Sequence, residues 1–180
     1  MATDMKKIAA LCFGLTLLAG CQTVPSVHPY SAPAGLQIEL NRPLTVPAES
    51  ATVRLQSGRT VATNAVQETE PYCIFELNTV RETPQPVAPE HFDVIRVEHR
   101  IQDFSGMPVN PMQGLFGRDN GPSQIYFITE FQLAAGKNGR VRSLSCQSNQ
   151  SSYTPPQRRH LTLKEMQGAV GDYFSFEAPR

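Results

Sequence analysis

The chain has 180 residues, of which 40% are hydrophobic and 18% are charged, so it is long enough for one domain with a substantial core. Its 16 basic residues balance its 16 acidic residues, and a neutral chain lacks the positive field that attracts nucleic acid. Fifteen prolines and the absence of tryptophan favour strands and loops over a helical bundle. Composition therefore argues against nucleic-acid binding and predicts a single, mainly β domain.

The amino-terminal segment follows the order of a secretory leader. Lys6 and Lys7 precede an apolar run that ends just before Cys21. This run is shorter than the roughly 20 residues that a membrane-spanning helix needs, so a cleaved signal peptide is favoured over a permanent span. We therefore expect residues 1–20 to be a signal peptide.

The stretch Leu18-Ala19-Gly20-Cys21 resembles the lipobox of bacterial lipoproteins. The resemblance implies that the sulfur of Cys21, which is a nucleophile, carries diacylglycerol, that the leader is removed before it, and that its amine receives an acyl chain such as palmitate. Two or three chains, at about 0.8 kcal/mol per buried CH₂, would anchor the protein stably. The alternative is an ordinary leader with a chance cysteine.

The residue after the cysteine bears on the destination of the protein. In enteric-type bacteria an Asp there retains a lipoprotein in the inner membrane, whereas this chain has Gln22, so the resemblance implies an outer-membrane anchor facing the periplasm. Residues 22–35 are rich in Pro, Ser and Ala without apolar periodicity, which is typical of an extended tether. We expect residues 21–35 to be the lipidated tether and residues 36–180 to be one periplasmic domain.

Two cysteines remain for the folded domain, because Cys12 lies in the leader and Cys21 takes the lipid. Cys73 and Cys146 each occupy the apolar face of an alternating, strand-like run, so both sulfurs point towards the same core. An oxidising compartment favours a disulfide between them, worth roughly 4 kcal/mol in the chain-entropy model. The alternative is two unpaired buried thiols.

Alternating apolar and polar residues recur along the chain and are separated by turn signals such as Ser57-Gly58 and Lys137-Asn138-Gly139. The alternating apolar positions are Leu36, Ile38, Leu40, Val53, Leu55, Ile125, Phe127, Phe131 and Leu133. Many strands with one apolar face and one polar face predict antiparallel sheets, packed as a β-sandwich or small barrel. Near the carboxyl end, Thr162 and Glu165 form a capping-box pattern that predicts one short α-helix over 163–173, with Phe174 at the end of its apolar stripe.

Histidines are the main candidates for chemistry. In the run from 90 to 101, His91, Asp93 and His99 fall on one face of a regular strand, and such residues can ligate a metal or move a proton. However, His91 and His99 are about 26 Å apart on a strand, and nothing near His99 completes a ligand set, so a structural histidine is favoured. Nucleophile and phosphate-binding motifs are missing. We expect no catalytic residue, no metal site and no cofactor, and therefore not an enzyme.

The segment 105–124 is long for a connection between two strands, and such loops are usually functional or disordered. Its apolar side chains include Met107, Met112, Leu115 and Phe116, which are costly to expose to water. Two interpretations stay open: the loop docks on a partner, or it folds back and closes the core. We expect a non-enzymatic envelope lipoprotein that binds another envelope protein through this loop.

A second function is carried by a resemblance. The stretch Leu55-Gln56-Ser57-Gly58-Arg59-Thr60 resembles the Ser-Gly and basic-residue loop of periplasmic lysozyme-inhibitor lipoproteins, which are small disulfide-linked β-barrels. Thr60 stands where that pattern has an aromatic residue. The resemblance implies, as the alternative, a ligand-binding or inhibitor module of the periplasm.

Overall fold

A computed structural model describes residues 35–103, 124–134, 139–151 and 158–177. The predicted signal peptide, the lipidation site Cys21, the tether and the candidate interaction residues Met107, Met112, Leu115 and Phe116 lie outside the described residues. Within the described ranges, none of the helical residues forms a segment long and apolar enough to span a bilayer.

The described chain is built mainly of strands. In chain order these are β1 (Gln37–Leu40), β2 (Leu44–Val46), β3 (Ser50–Gln56), β4 (Arg59–Val61), β5 (Tyr72–Arg81), β6 (Gln85–Val87), β7 (Glu90–Asp103), β8 (Gln124–Leu133), β9 (Val141–Ser151) and β10 (Phe174–Glu177). The α-helix α1 spans Leu163–Val170, and two short 3-10 helices span Thr63–Ala65 and Gly171–Tyr173. The predicted mainly β domain with one short C-terminal helix is confirmed.

Eight strands form one antiparallel sheet in the order β10-β1-β7-β8-β9-β5-β3-β4, and β2 pairs with β6 in a small second sheet. The large sheet curls into a half-barrel. Phe75 of β5 packs 5.3 Å from Phe174 of β10, measured between ring centroids, although four strands separate β5 from β10 in the sheet. Curling therefore encloses the core on the concave face.

Seven of the nine apolar positions predicted by alternation line this core, whereas Phe127 is buried outside it and Ile125 is half-buried. Leu36, Ile38 and Leu40 are at most 2% exposed, whereas the intervening Gln37 is exposed. Because side chains on a strand alternate between faces, each strand contributes every second residue to the core until its register shifts. The largest fully buried side chains are Phe75, Phe92, Phe131 and Phe174.

The predicted disulfide is present. Cys73 of β5 and Cys146 of β9 are direct partners in the antiparallel register, with an S–S distance of 2.06 Å and Cα atoms 4.1 Å apart. Both residues are fully buried. The bond covalently joins two adjacent strands at the middle of the sheet and crosses 73 positions of sequence.

Helix α1 begins with the predicted capping box, in which the Thr162 hydroxyl accepts from the Glu165 backbone N–H and the Glu165 carboxylate accepts from the Thr162 backbone N–H. The helix is shorter than predicted, because Gly171 has φ 57° and ends it. The predicted helical position of Phe174 is wrong: this residue starts β10 and is fully buried. The apolar positions from Leu163 to Phe174 therefore belong to two elements, α1 and β10.

A close backbone contact ties the β3–β4 turn to the end of α1. The backbone N–H of Gly58 donates to the carbonyl of Ala169 at 3.0 Å. A Cβ atom on Gly171 would lie 2.4 Å from the Cα of Gly58, a separation that real structures do not tolerate. The turn and the helix end can meet only because Gly171 has no side chain.

Replacing Gly171 tests this contact. Gly171→Ala should lower the free energy of unfolding by about 2–4 kcal/mol, because the added methyl group overlaps Gly58 and alanine is strained at this backbone conformation. Gly168→Ala is the matched control: nothing lies within 4 Å of its Cβ position, so it should be neutral or stabilise by about 0.5–1 kcal/mol. Urea unfolding measures the free energy of unfolding of both variants. Equal values for Gly171→Ala and Gly168→Ala would contradict the contact.

Candidate functional site

A bulge in β7 decides which histidines share a face. The register of β7 against β8 shifts between Val94 and Arg96, so one extra residue is inserted there. Before the bulge Phe92 points into the core, and after it His99 occupies the core side, opposite Thr129. The prediction that His91 and His99 share one face is therefore wrong, since it assumed a regular strand.

The outward-facing residues before the bulge are engaged with β1. His91 lies 3.2 Å from the Glu39 carboxylate, measured from Nε2, and its side chain is 64% exposed. Asp93 accepts a hydrogen bond of 2.8 Å from the Gln37 side chain. These contacts join two strands on the convex surface and leave His99 in a different environment.

His99 meets a second histidine that sequence spacing did not associate with it. The Nδ1 atom of His99 lies 3.1 Å from the Thr129 hydroxyl, and the Nδ1 atom of His160 lies 3.5 Å from the same oxygen. The two imidazole rings are 4.6 Å apart between centroids, and the edge of Phe127 packs against His160. Thr129 is 1% exposed, whereas His99 is exposed and His160 is half-buried. We call His99, Thr129 and His160 the histidine pair site.

His160 is held over the concave face by contacts on both of its sides. The Gln150 amide donates to the Arg159 carbonyl at 2.7 Å and accepts from the Arg159 backbone N–H at 3.1 Å, which fixes the backbone against β9. The Arg159 guanidinium donates two bonds of 2.7 Å to the Glu165 carboxylate in α1. Next in the chain, Leu161 is buried in the core. His160 is therefore positioned by β9, by α1 and by the core.

The electrostatics of the histidine pair site favour the neutral form of His160. Burial, and secondarily the proximity of His99, lower the pKa of His160 below its ordinary value of 6.5. The Thr129 hydroxyl can donate to one Nδ1 atom and accept from the other, which satisfies both rings when one carries its proton on Nδ1 and the other on Nε2. At neutral pH His160 therefore offers a nitrogen lone pair rather than positive charge.

A separate polar cluster lies on the convex face. The Tyr72 and Tyr126 hydroxyls both donate to one oxygen of Glu68, at 2.9 and 2.5 Å, and the Gln147 amide donates to Tyr72. Burial raises the pKa of Tyr72 to about 12, and burial together with the Glu68 carboxylate raises the pKa of Tyr126. Both phenols stay protonated and serve as donors, so this cluster fastens the segment before β5 to the sheet.

The β3–β4 turn, whose sequence resembles the inhibitor loop, is bonded to α1 through its backbone and exposes two side chains. Ser57 is exposed at the tip and has φ 51°, and Arg59 is exposed in β4. Gly58, however, is bonded to α1. The turn therefore presents Ser57 and Arg59 outwards while its backbone is fixed.

Sequence reasoning identified His99 but missed His160. The residue stands in a polar linker with a small basic cluster, and no spacing relates it to β7. The available signal was Leu161, an apolar residue next to the capping box, which indicates that the linker reaches the core at this point.

The Arg159–Glu165 ion pair makes the free energy of unfolding depend on pH. Hydrogen bonds from Arg159 are the main cause that lowers the pKa of Glu165 from 4.5 to about 2. A carboxyl with a lowered folded-state pKa contributes stability above about pH 4.5 that is lost as the pH falls to about 2. Because the side chain is 35% exposed, we expect an effect on the order of 1 kcal/mol.

Glu165→Gln should therefore have a lower unfolding temperature than the unmodified chain near pH 6. The two unfolding temperatures should converge near pH 2. The matched control, Glu70→Gln, changes an exposed carboxylate and should leave the pH profile unaltered. A stability difference of Glu165→Gln that is equal at both pH values would contradict the assignment.

Comparisons with known proteins add no functional assignment to this geometry. The histidine pair site and the convex cluster are thus interpreted from their own chemistry. No family model, no curated protein and no solved structure matches the chain.

Proposed function

We propose that the chain is a lipid-anchored, non-enzymatic protein of the bacterial outer membrane whose periplasmic β domain binds another envelope protein. The single observation that carries the binding mode is the filled interior of the half-barrel. Phe75 packs against Phe92 at 6.2 Å and against Phe174 at 5.3 Å, between ring centroids, and α1 covers the same core. A partner therefore has to be recognised at the surface.

Two cavities lined by described residues are consistent with surface recognition. One cavity of about 150 Å³, lined by Leu77, Val87 and Val141 among others, is smaller than the roughly 300–1,000 Å³ of small-molecule sites. A second depression of about 370 Å³ is open to solvent and lined by residues such as Gln132 and Arg142. Both support a protein-binding role over an enclosed ligand.

The charges on the convex face support a non-catalytic role. Glu76 pairs with Arg142 at 3.1 Å, and Glu130 pairs with Arg100. These carboxylates are bound to arginines on neighbouring strands, as in a solvated charge ladder.

Membrane anchoring is supported by the leader pattern that ends at Cys21, and a location outside the cytoplasm is supported by the buried disulfide. Disulfides between buried cysteines persist in oxidising compartments such as the periplasm. The proposed contact with the partner is the 105–124 loop, whose apolar residues have been named above. The adjoining strand β7 carries Ile101, an exposed isoleucine, close to the point where this loop begins. The inhibitor module stays the alternative, with Ser57 and Arg59 as its exposed residues.

Lipidation is tested by metabolic labelling. Cys21→Ser should abolish incorporation of radiolabelled palmitate and shift the protein from the membrane to the soluble fraction, because the thioether acceptor is lost. Cys12→Ser is the matched control, since this cysteine lies in the leader, and it should label like the unmodified chain. Undiminished labelling of the Cys21 variant would contradict the anchor.

The docking loop is tested by photo-crosslinking in living cells. A photoreactive residue at Met112 or at Phe116 should give the same discrete adduct, identified by mass spectrometry as an envelope protein. The control position is Val80, which is 62% exposed and lies near the end of β5, at the opposite end of the sheet from Asp103 and Gln124. Absence of an adduct from both loop positions, or the same adduct from Val80, would contradict loop-mediated binding.

A further inference from the structure

We propose that the histidine pair site is an exchangeable binding site for a divalent transition-metal ion, and that copper(II) binds there most tightly. The sequence-based expectation of no metal site rested on His99 having no neighbouring ligand, and His160 supplies one. This inference goes beyond the proposed anchoring and partner binding and does not depend on either.

The first argument is the convergence of the two nitrogens. Both Nδ1 atoms lie within 3.5 Å of one oxygen, the Thr129 hydroxyl, so the two nitrogens border one small volume. Imidazole nitrogen is the side-chain donor that copper(II), nickel(II) and zinc(II) share, and copper(II) heads the affinity order of the divalent first-row ions. An ion in that volume can reach both rings.

The second argument is the ring separation. A metal–nitrogen bond of about 2.0–2.1 Å places an imidazole centroid about 3.2 Å from the ion. Two such rings at an angle of about 90–110° have centroids about 4.5–5.2 Å apart, the lower value corresponding to a square-planar ion such as copper(II). The observed separation is 4.6 Å. The ring separation is therefore compatible with both imidazoles binding one ion.

The third argument is preorganisation with access. Gln150 and Arg159 fix the backbone next to His160, so this ligand is in place before an ion arrives. His99 is exposed to solvent, which provides an entry path. Phe127 borders the site with an apolar wall. One positioned ligand and one solvent-exposed ligand are suited to an ion that exchanges with solution.

The ligand count explains why the site is exchangeable. In the part of the chain that the structure describes, no group of three or more His, Cys, Asp and Glu residues is placed to hold an ion. Structural zinc sites use four protein ligands, whereas two imidazoles leave positions for water, for the Thr129 hydroxyl or for a ligand from outside. The rival interpretation is that the pair only pins the segment around His160 to the sheet.

The test is a titration of the purified full-length chain with copper(II) sulfate, followed by electron paramagnetic resonance and competition with a chelator. We expect nitrogen hyperfine coupling from two imidazoles, and at least about tenfold weaker binding in both His99→Gln and His160→Gln. His91→Gln is the matched control, because His91 is exposed on the opposite face, and its affinity should stay within about twofold. Every sample carries Cys12→Ser and Cys21→Ser, so that no free thiol binds or reduces copper(II), and His28 is common to all samples.

A second measurement separates metal binding from folding. An ion that binds the folded state raises the unfolding temperature, so copper(II) should stabilise the unmodified chain and His91→Gln but not His99→Gln. His99 is exposed, so its glutamine variant keeps the fold even if His160→Gln does not. Unchanged copper affinity in His99→Gln, or an equal loss in His91→Gln, would overturn the site and leave the pair a structural contact.

Discussion

The packing of Phe75 is the contact on which the rest of the fold depends. Its ring touches Phe92 of β7 and Phe174 of β10, and these strands are neighbours of β5 only through the curl of the sheet. Burying a phenylalanine contributes about 1.5–3 kcal/mol, and each aromatic pair adds about 0.5–1.5 kcal/mol. A flat sheet would lose these contacts and expose the same rings. The curl in turn creates the concave face on which α1 and His160 lie.

The bulge in β7 has a similarly far-reaching effect. One inserted residue near Ile95 exchanges the faces of all positions that follow it. It directs Phe92 into the core and still allows His99 to reach Thr129 on the same side of the sheet. Without the bulge, His99 would face the convex surface and the histidine pair would not form.

Much of the fold was predictable because alternation reports which face of a strand is buried. Leu55, Cys73 and Cys146 were assigned to the core correctly, and the disulfide followed from two cysteines on buried faces. The capping box was also local, since Thr162 and Glu165 lie within one turn. Such features depend on neighbours in sequence, which a pattern can represent.

The features that the sequence did not predict depend on distant parts of the chain. The φ angle of Gly171 ends the helix early and makes Phe174 the start of a strand, because Gly58 occupies the space beside it. The pairing of His99 with His160 depends on the Gln150 contact with Arg159, and no periodicity encodes it. The residues of the candidate site were therefore harder to predict from the sequence than the residues of the core.

The position of the disulfide has a consequence for damage to the chain. The entire segment 104–123 lies between Cys73 and Cys146 in sequence, and these two cysteines are bonded in the middle of the sheet. A protease that cut this segment once would leave both fragments covalently attached through the disulfide. The strands on either side would also remain in register, because β7, β8 and β9 are paired along their length. A single cut between β7 and β8 therefore need not separate the two halves of the domain.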